Sequence, residues 1–283
     1  MTLTDIKNYI TNYLEGIYDT NEAESIAYII LEDELKMSKI DLIINANNIV
    51  NEKSVDRIQE ILEQLEQNKP IQYILGYADF YELKFKVNEH TLIPRQETEL
   101  LVNEIIELNK DKKGINILDI GTGTGCIAIS LAKHLNANIT AVDFSEKAIE
   151  TAKQNAELNK LNIDFKILDI IKNQEQICDK KFDIIVSNPP YVTSAEKSQM
   201  LNNVLDFEPH SALFVDDNNP LEFYDAITKF AKNNLVADGQ LWFEINEQFG
   251  EETKNILLKY DFKNIQIIND LNEKNRIVNG VKE

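Results

Sequence analysis

The sequence predicts an α/β fold, a mostly parallel sheet with helices on both faces, preceded by a small helical domain and a β-hairpin linker. Three observations predict it. From about residue 97 onward, short apolar runs alternate with amphipathic stretches of helical period, as strands and their crossover helices do. The first 68 residues carry the helical period alone. Between them, Tyr81-Glu82-Leu83-Lys84-Phe85-Lys86-Val87 alternates apolar and polar residues with period two, the pattern of a half-buried strand.

In the helical module Ile6, Tyr9, Ile10, Tyr13, Leu14 and Ile17 recur at helical spacing, as do Val55, Ile58, Ile61, Leu62 and Leu65 behind the candidate N-cap Ser54. Helices over 21–35 and 38–47 lie between, with Ser38 as a cap, and Pro70 closes the module. The period-two strand pairs in a hairpin before Pro94 and reads as a hinge. The expected boundaries are 1–78 for the helical domain, 79–96 for the hinge and 97–283 for the α/β domain. Within the last, strands are expected at 115–120, 138–143, 163–168, 182–187, 240–246, 262–268 and 276–281. Helices are expected at 97–109, 125–135, 145–159, 221–235 and 248–259.

Composition narrows the function classes. A length of 283 residues allows one or two domains, and 43% hydrophobic residues suit a globular chain with a large core. No run approaches the roughly eighteen apolar residues of a membrane span, and the start Met1-Thr2-Leu3-Thr4-Asp5 lacks the order of a signal peptide, so a cytoplasmic protein is expected. Cys126 and Cys178 form no metal spacing with His90, His134 or His210; reduced thiols and no metal are expected. The net charge of −19, without a lysine or arginine cluster, argues against a grip on duplex nucleic acid, which needs a basic patch. It fits a basic protein partner or plain solubility.

The chemistry-bearing motifs fall at strand ends. Asp119-Ile120-Gly121-Thr122-Gly123-Thr124-Gly125 lies between a strand-like and a helix-like run, and glycines at alternate positions let a backbone approach a ligand closely. The spacing is not Gly-x-Gly-x-x-Gly, and no Gly-Lys-Ser/Thr follows, so a dinucleotide or nucleoside triphosphate is disfavoured. Asp143 ends the next strand, where an acid can accept both hydroxyls of a ribose; the neighbourhood of a helix cap near Ser145 is the structural alternative. Asn188-Pro189-Pro190-Tyr191 follows the apolar run 182–187. Its prolines lock their own φ and force Asn188 to be extended, leaving one rigid carboxamide at a strand end.

These residues resemble the class I S-adenosylmethionine-dependent methyltransferases and, more narrowly, the release factor glutamine N5-methyltransferases of the HemK/PrmC type. The narrower resemblance rests on 69–76, Thr91-Leu92-Ile93-Pro94-Arg95-Gln96-Glu97-Thr98-Glu99, the glycine turn, Ser187 to Tyr191, Phe207-Glu208-Pro209 and Asp270 to Arg276, in the family's order. Residues 1 to about 68 resemble it only in helical character and length. The resemblance implies a Rossmann-like class I methyltransferase sheet and S-adenosylmethionine as cofactor. It implies cofactor contacts from Gly121, Thr122, Gly123, Thr124, Gly125, Asp143, Asp169, Ile170 and Asn188, although some members carry an aromatic where Ile170 stands. Asn188, Pro189, Pro190 and Tyr191 would hold the substrate amide, with Asn188 and Pro189 catalytic and Arg95 at the mouth of the site.

The substrate implied is the glutamine of the Gly-Gly-Gln loop of peptide chain release factors, docked by the helical N-terminal domain of a monomer that binds no nucleic acid directly. An N6-adenine methyltransferase of DNA or RNA is the alternative, because its flipped amino nitrogen would use the same acceptors. A cofactor-binding scaffold without catalysis is a third. Arg95, Glu97 and Glu99 form a second constellation, in which helix initiation accounts equally well for the two acids; His210 suits a surface, Trp242 the core, and Asp270 and Arg276 a pair across the last turn.

Overall fold

The computed structural model describes residues 1–177 and 179–283, with Gln199 described by its backbone alone; the thiol expectation for Cys178 lies outside the described residues. The chain divides into two compact units, Met1–Gly76 with Leu201–Phe207, and Tyr77–Met200 with Glu208–Glu283.

The first unit contains α1 (Leu3–Leu14), α2 (Thr20–Leu35), α3 (Lys39–Ile44), α4 (Glu52–Glu66) and α5 (Ile71–Leu75). Side-chain oxygens start four of them. Thr2 and Ser38 form capping boxes with Asp5 and Asp41, and Asp19 accepts the Glu22 N–H. The cap of α4 is Asn51, whose Oδ1 accepts the Ser54 N–H at 3.0 Å, so Ser54 is inside the first turn and buried rather than capping it. Helix α3 is shorter than expected because Asn45 leaves helical dihedrals and its side chain turns back to the Asp41 carbonyl. Pro70 does not close the module: it precedes α5, which stops at Gly76 in the left-handed region, φ 81°. Ile6, Ile10, Ile30, Ile58 and Leu62 meet in one core. Each such buried side chain contributes about 1.5–3 kcal/mol.

The second unit opens with β1 (Tyr77–Phe80) and β2 (Leu83–Lys86), an antiparallel hairpin in which Phe80 faces Leu83. Tyr81 and Glu82 therefore form a two-residue turn, both at positive φ (46° and 62°), instead of continuing a strand. The strained turn is tied down: Tyr81 donates its N–H to Glu99 Oε1 at 2.7 Å and packs edge-on against His134. Then follow α6 (Gln96–Asn109), β3 (Lys113–Ile120), α7 (Cys126–His134), β4 (Asn136–Asp143), α8 (Glu146–Leu158), β5 (Asp164–Ile167) and β6 (Phe182–Ser187). After β6 come α9 (Asn202–Phe207), which counts with the first unit, α10 (His210–Leu213), α11 (Glu222–Asn234), β7 (Leu235–Glu244), α12 (Gly250–Lys259), β8 (Phe262–Asn269) and β9 (Asn275–Lys282). Strand β7 begins earlier than expected, its pairing with β6 interrupted by an irregular register ahead of Gln240.

The seven strands lie in the order β5-β4-β3-β6-β7-β9-β8, the first five parallel and β9 antiparallel to both neighbours. Alternate residues face opposite sides, so Ile117, Ile184 and Trp242 pack into one core and Leu118, Ile185 and Phe243 into the other. The chain runs outward from β3 through β4 to β5 and returns to β6 on the other flank of β3. That reversal opens a crevice at the carboxyl ends of β3 and β6, where open α/β sheets bind their ligands. Among the described residues, no helix is long and apolar enough to cross a membrane.

Candidate active site at the carboxyl edge of the sheet

Ile120 and Ser187 are register partners, so the glycine turn and Asn188 leave neighbouring strands side by side. A pocket opens there, lined by the turn from Gly121 to Thr124, by Asp143, Asp169 and Ile170, by Asn188, Pro189 and Pro190, and by Arg95. Four strand ends and the segment before α6 therefore deliver the expected residues to one cavity. Gly125 and Tyr191 are not on its wall.

The glycines divide by task. Gly121, Gly123 and Gly125 all lie at positive φ (74°, 55° and 82°), where side chains are strained. A Cβ on Gly123 would meet nothing within 4 Å, whereas one on Gly125 would come within 3.0 Å of Ile129 Cδ1 and 3.2 Å of Ala152 Cβ. Gly123 leaves room for a ligand; Gly125 lets α7 start close against α8.

Asp143 is 7% exposed and bridges two backbones, Oδ2 accepting the Gly123 N–H and Oδ1 the Ser145 N–H, both at 2.9 Å. Burial raises its pKa against these hydrogen bonds. The cap of α8 itself is Ser145, so Asp143 holds the turn while lining the pocket. Phe144 beside it is exposed and also lines the cavity, a flat apolar platform that sequence reasoning passed over. Asp169 accepts the N–H groups of Ile171 and Lys172 and pairs with the Lys172 ammonium at 2.9 Å. Burial works against its charge, but those partners hold the carboxyl below its usual range.

Asn188 is half-buried, and its Nδ2 donates to Thr98 Oγ1 at 3.3 Å. Thr98 in turn donates to Glu244 Oε2 at 2.6 Å, and the Tyr191 hydroxyl donates to Glu244 Oε1 at 3.3 Å. Tyr191 thus packs its ring on the core and its hydroxyl on a buried acid, and burial raises its pKa far above that of an ordinary phenol. Glu244 is 1% exposed at the carboxyl end of β7, and burial raises its pKa against the Thr98 hydroxyl. Neither Thr98 nor Glu244 was marked from sequence. The signal available was an acid inside the apolar run Leu241-Trp242-Phe243-Glu244-Ile245, ending a strand at the same edge as the other groups.

Arg95 lines the pocket, yet its guanidinium donates to Glu208 Oε1 at 2.6 Å while Glu208 Oε2 accepts the Ile93 N–H at 3.2 Å. The buried Glu208 thereby fastens the Ile93-Pro94-Arg95 segment. Asp270 and Arg276 pair at 3.0 Å, and Trp242 is buried, both as expected.

Comparison with known proteins identifies the family. Residues 111–255 match the family model of a methyltransferase domain, and residues 5–76, readable from sequence only as helical, match that of the PrmC N-terminal domain. The chain is 47% identical over 280 residues to a release factor glutamine methyltransferase of Flavobacterium psychrophilum, covering 96% of this chain and 98% of that one. It is 39% identical over 274 residues to a protein of the same name from Bacteroides thetaiotaomicron, covering 96% and 98%. Among solved structures, a methyltransferase from Pyrococcus furiosus shares the fold with a TM-score of 0.53 at 19% identity, over 80% of this chain and 98% of that one. With near full-length identity at this level, the chain belongs to the release factor glutamine methyltransferase family.

Proposed function

We propose that this protein transfers the methyl group of S-adenosylmethionine to the side-chain amide nitrogen (N5) of the glutamine in the Gly-Gly-Gln motif of peptide chain release factors. The observation that carries the reading is the juxtaposition of Asn188 with the glycine turn on one pocket wall, at the switch point of the sheet. The residues present fit the cofactor. Gly123 leaves open space at a backbone turn, Asp143 offers a carboxylate for ribose hydroxyls, and Phe144 offers a flat apolar face for a purine. When bound, S-adenosylmethionine supplies an electrophilic sulfonium methyl group.

The rest is the work of the chain. A primary carboxamide nitrogen is a poor nucleophile because its lone pair is delocalised into the carbonyl. Asn188 Oδ1 and the Pro189 carbonyl each accept one N–H of the substrate amide, and the two prolines hold both acceptors rigid. As positive charge grows on the nitrogen both acceptors bind it more tightly, which lowers the barrier, and the methylated nitrogen then gives up one of its two protons to water. Holding the amide in place contributes several kcal/mol more.

The helical N-terminal domain docks the release factor, a role supported by its separate core and by its match to the PrmC N-terminal domain. The reading is of a monomer in the cytoplasm without direct nucleic-acid contacts, in keeping with the net charge of −19. Labelled S-adenosylmethionine incubated with the enzyme and either a release factor or nucleic acid is the test. Label in the release factor glutamine is expected, with Asn188→Ala slower by about a hundredfold. Label in nucleic acid alone, or in neither, overturns the proposal.

A further inference from the structure

We propose that Thr98 and Glu244 are positioning residues that set which end of the Asn188 carboxamide faces the substrate. The inference rests on the reading of Asn188 as the amide acceptor. Thr98 lies in the first turn of α6 and Glu244 at the end of β7, and both are almost wholly buried (2% and 1% exposed). When Glu244 is ionised its carboxylate has no proton to give, so the hydroxyl of Thr98 spends its single proton on Glu244 Oε2, 2.6 Å away. Thr98 Oγ1 can then only accept, and the group it accepts from is Asn188 Nδ2 at 3.3 Å. The NH₂ end of the carboxamide is thereby held on Thr98, and Oδ1, the end able to accept a substrate N–H, is left for the pocket. With the amide turned over, the substrate nitrogen would meet an N–H instead of an acceptor.

The direction of this relay depends on Glu244 being charged. Burial raises its pKa, while Thr98 on α6, Arg276 on β9 and Tyr191 after β6 favour the charged form; Glu97 on α6 opposes it, and Tyr224 on α11 donates to the Glu244 backbone carbonyl. Once Glu244 is protonated it can donate to Thr98, whose own proton is then released to Asn188 Oδ1. The sign follows: the productive orientation holds above the Glu244 pKa and is lost as pH falls through it.

The test compares Thr98→Val, Thr98→Ser, Glu244→Gln and Asn188→Ala in single-turnover methyl transfer from labelled S-adenosylmethionine to a release factor, with melting temperature and cofactor affinity measured in parallel. Valine keeps the shape of threonine without the hydroxyl, and serine restores the hydroxyl. Expected are a rate about tenfold lower for Thr98→Val at unchanged cofactor affinity, recovery to within about threefold for Thr98→Ser, and loss of the acidic limb of the pH–rate profile in Glu244→Gln. Thr98→Val at the wild-type rate while Asn188→Ala is slowed about a hundredfold overturns the relay alone, as do equal losses in Thr98→Val and Thr98→Ser. Asn188→Ala at the wild-type rate overturns the underlying reading instead.

Discussion

Gly123 donates its backbone N–H to Asp143 Oδ2 at 2.9 Å, joining the turn after β3 to the end of β4 across 20 residues of sequence. The acid is therefore a brace as well as a pocket wall, because its other oxygen accepts the Ser145 N–H. The same carboxylate that faces the pocket sets the backbone it shares the pocket with.

Asp143→Asn tests this brace. An asparagine has one acceptor oxygen for two backbone N–H donors, so its NH₂ must oppose one of them, a mismatch that costs about 1–3 kcal/mol when buried. The dissociation constant for S-adenosylmethionine should rise about tenfold to a hundredfold by titration calorimetry. An unchanged constant removes Asp143 from the site.

Gly123→Ala and Gly125→Ala should separate binding from stability. Both introduce a side chain at positive φ, worth about 1–2 kcal/mol. Only Gly125→Ala also collides, with Ile129 and Ala152, adding about 1–3 kcal/mol of overpacking. Urea unfolding should show Gly125→Ala as the less stable variant, while Gly123→Ala should lose more cofactor affinity. The reverse ranking contradicts the division of tasks.

Arg95→Ala leaves the carboxyl of Glu208, 4% exposed, without the guanidinium and still accepting the Ile93 N–H. The side chain of Arg95 is 32% exposed and partly screened by water, so the loss should be about 2 kcal/mol. Glu208→Gln keeps an acceptor for Arg95 or Ile93 and should cost about 1 kcal/mol. Chemical denaturation of both variants gives the ranking; equal and negligible losses would mean the clasp is not structural.

Asp119 lies fully buried under the glycine turn, with the Thr122 hydroxyl on its Oδ2 at 2.6 Å, and burial pushes its carboxyl up to about 7. An acid with its folded pKa raised keeps its proton where the unfolded chain has lost it. Its contribution to stability is fully present below the unfolded value near 4 and is lost as pH rises through 7. The slope is on the order of 1 kcal/mol per pH unit in that window. Asp119→Asn should therefore gain stability over the parent protein at pH 8 relative to pH 5. An equal difference at the two values would show that Asp119 does not titrate there.

Much of this fold could be read from the chain. The strand 182–187 and the boundaries of most helices in the second unit follow from local hydrophobic period, within a residue or two. The glycine turn and Asn188-Pro189-Pro190 were legible for a related reason: their meaning lies in backbone dihedrals, which neighbouring residues impose. Where reading failed, the competing choice was also local but finer, as with Asn51 over Ser54 as the cap and Tyr81 in a turn instead of a strand.

Other features depended on distance across the fold. Glu244 meets Thr98 over 146 residues, Asn188 meets Thr98 over 90 and Arg95 meets Glu208 over 113, and no period or spacing announces such partners. The same holds for Tyr191 turning its hydroxyl to Glu244 and for Gly125 serving helix packing rather than the pocket. Backbone preference acts between neighbours in the chain. The partner of a buried hydroxyl or carboxylate is settled by which strands and helices come to lie side by side, because in the absence of water each such group must take its hydrogen bond from whatever the fold has brought within reach.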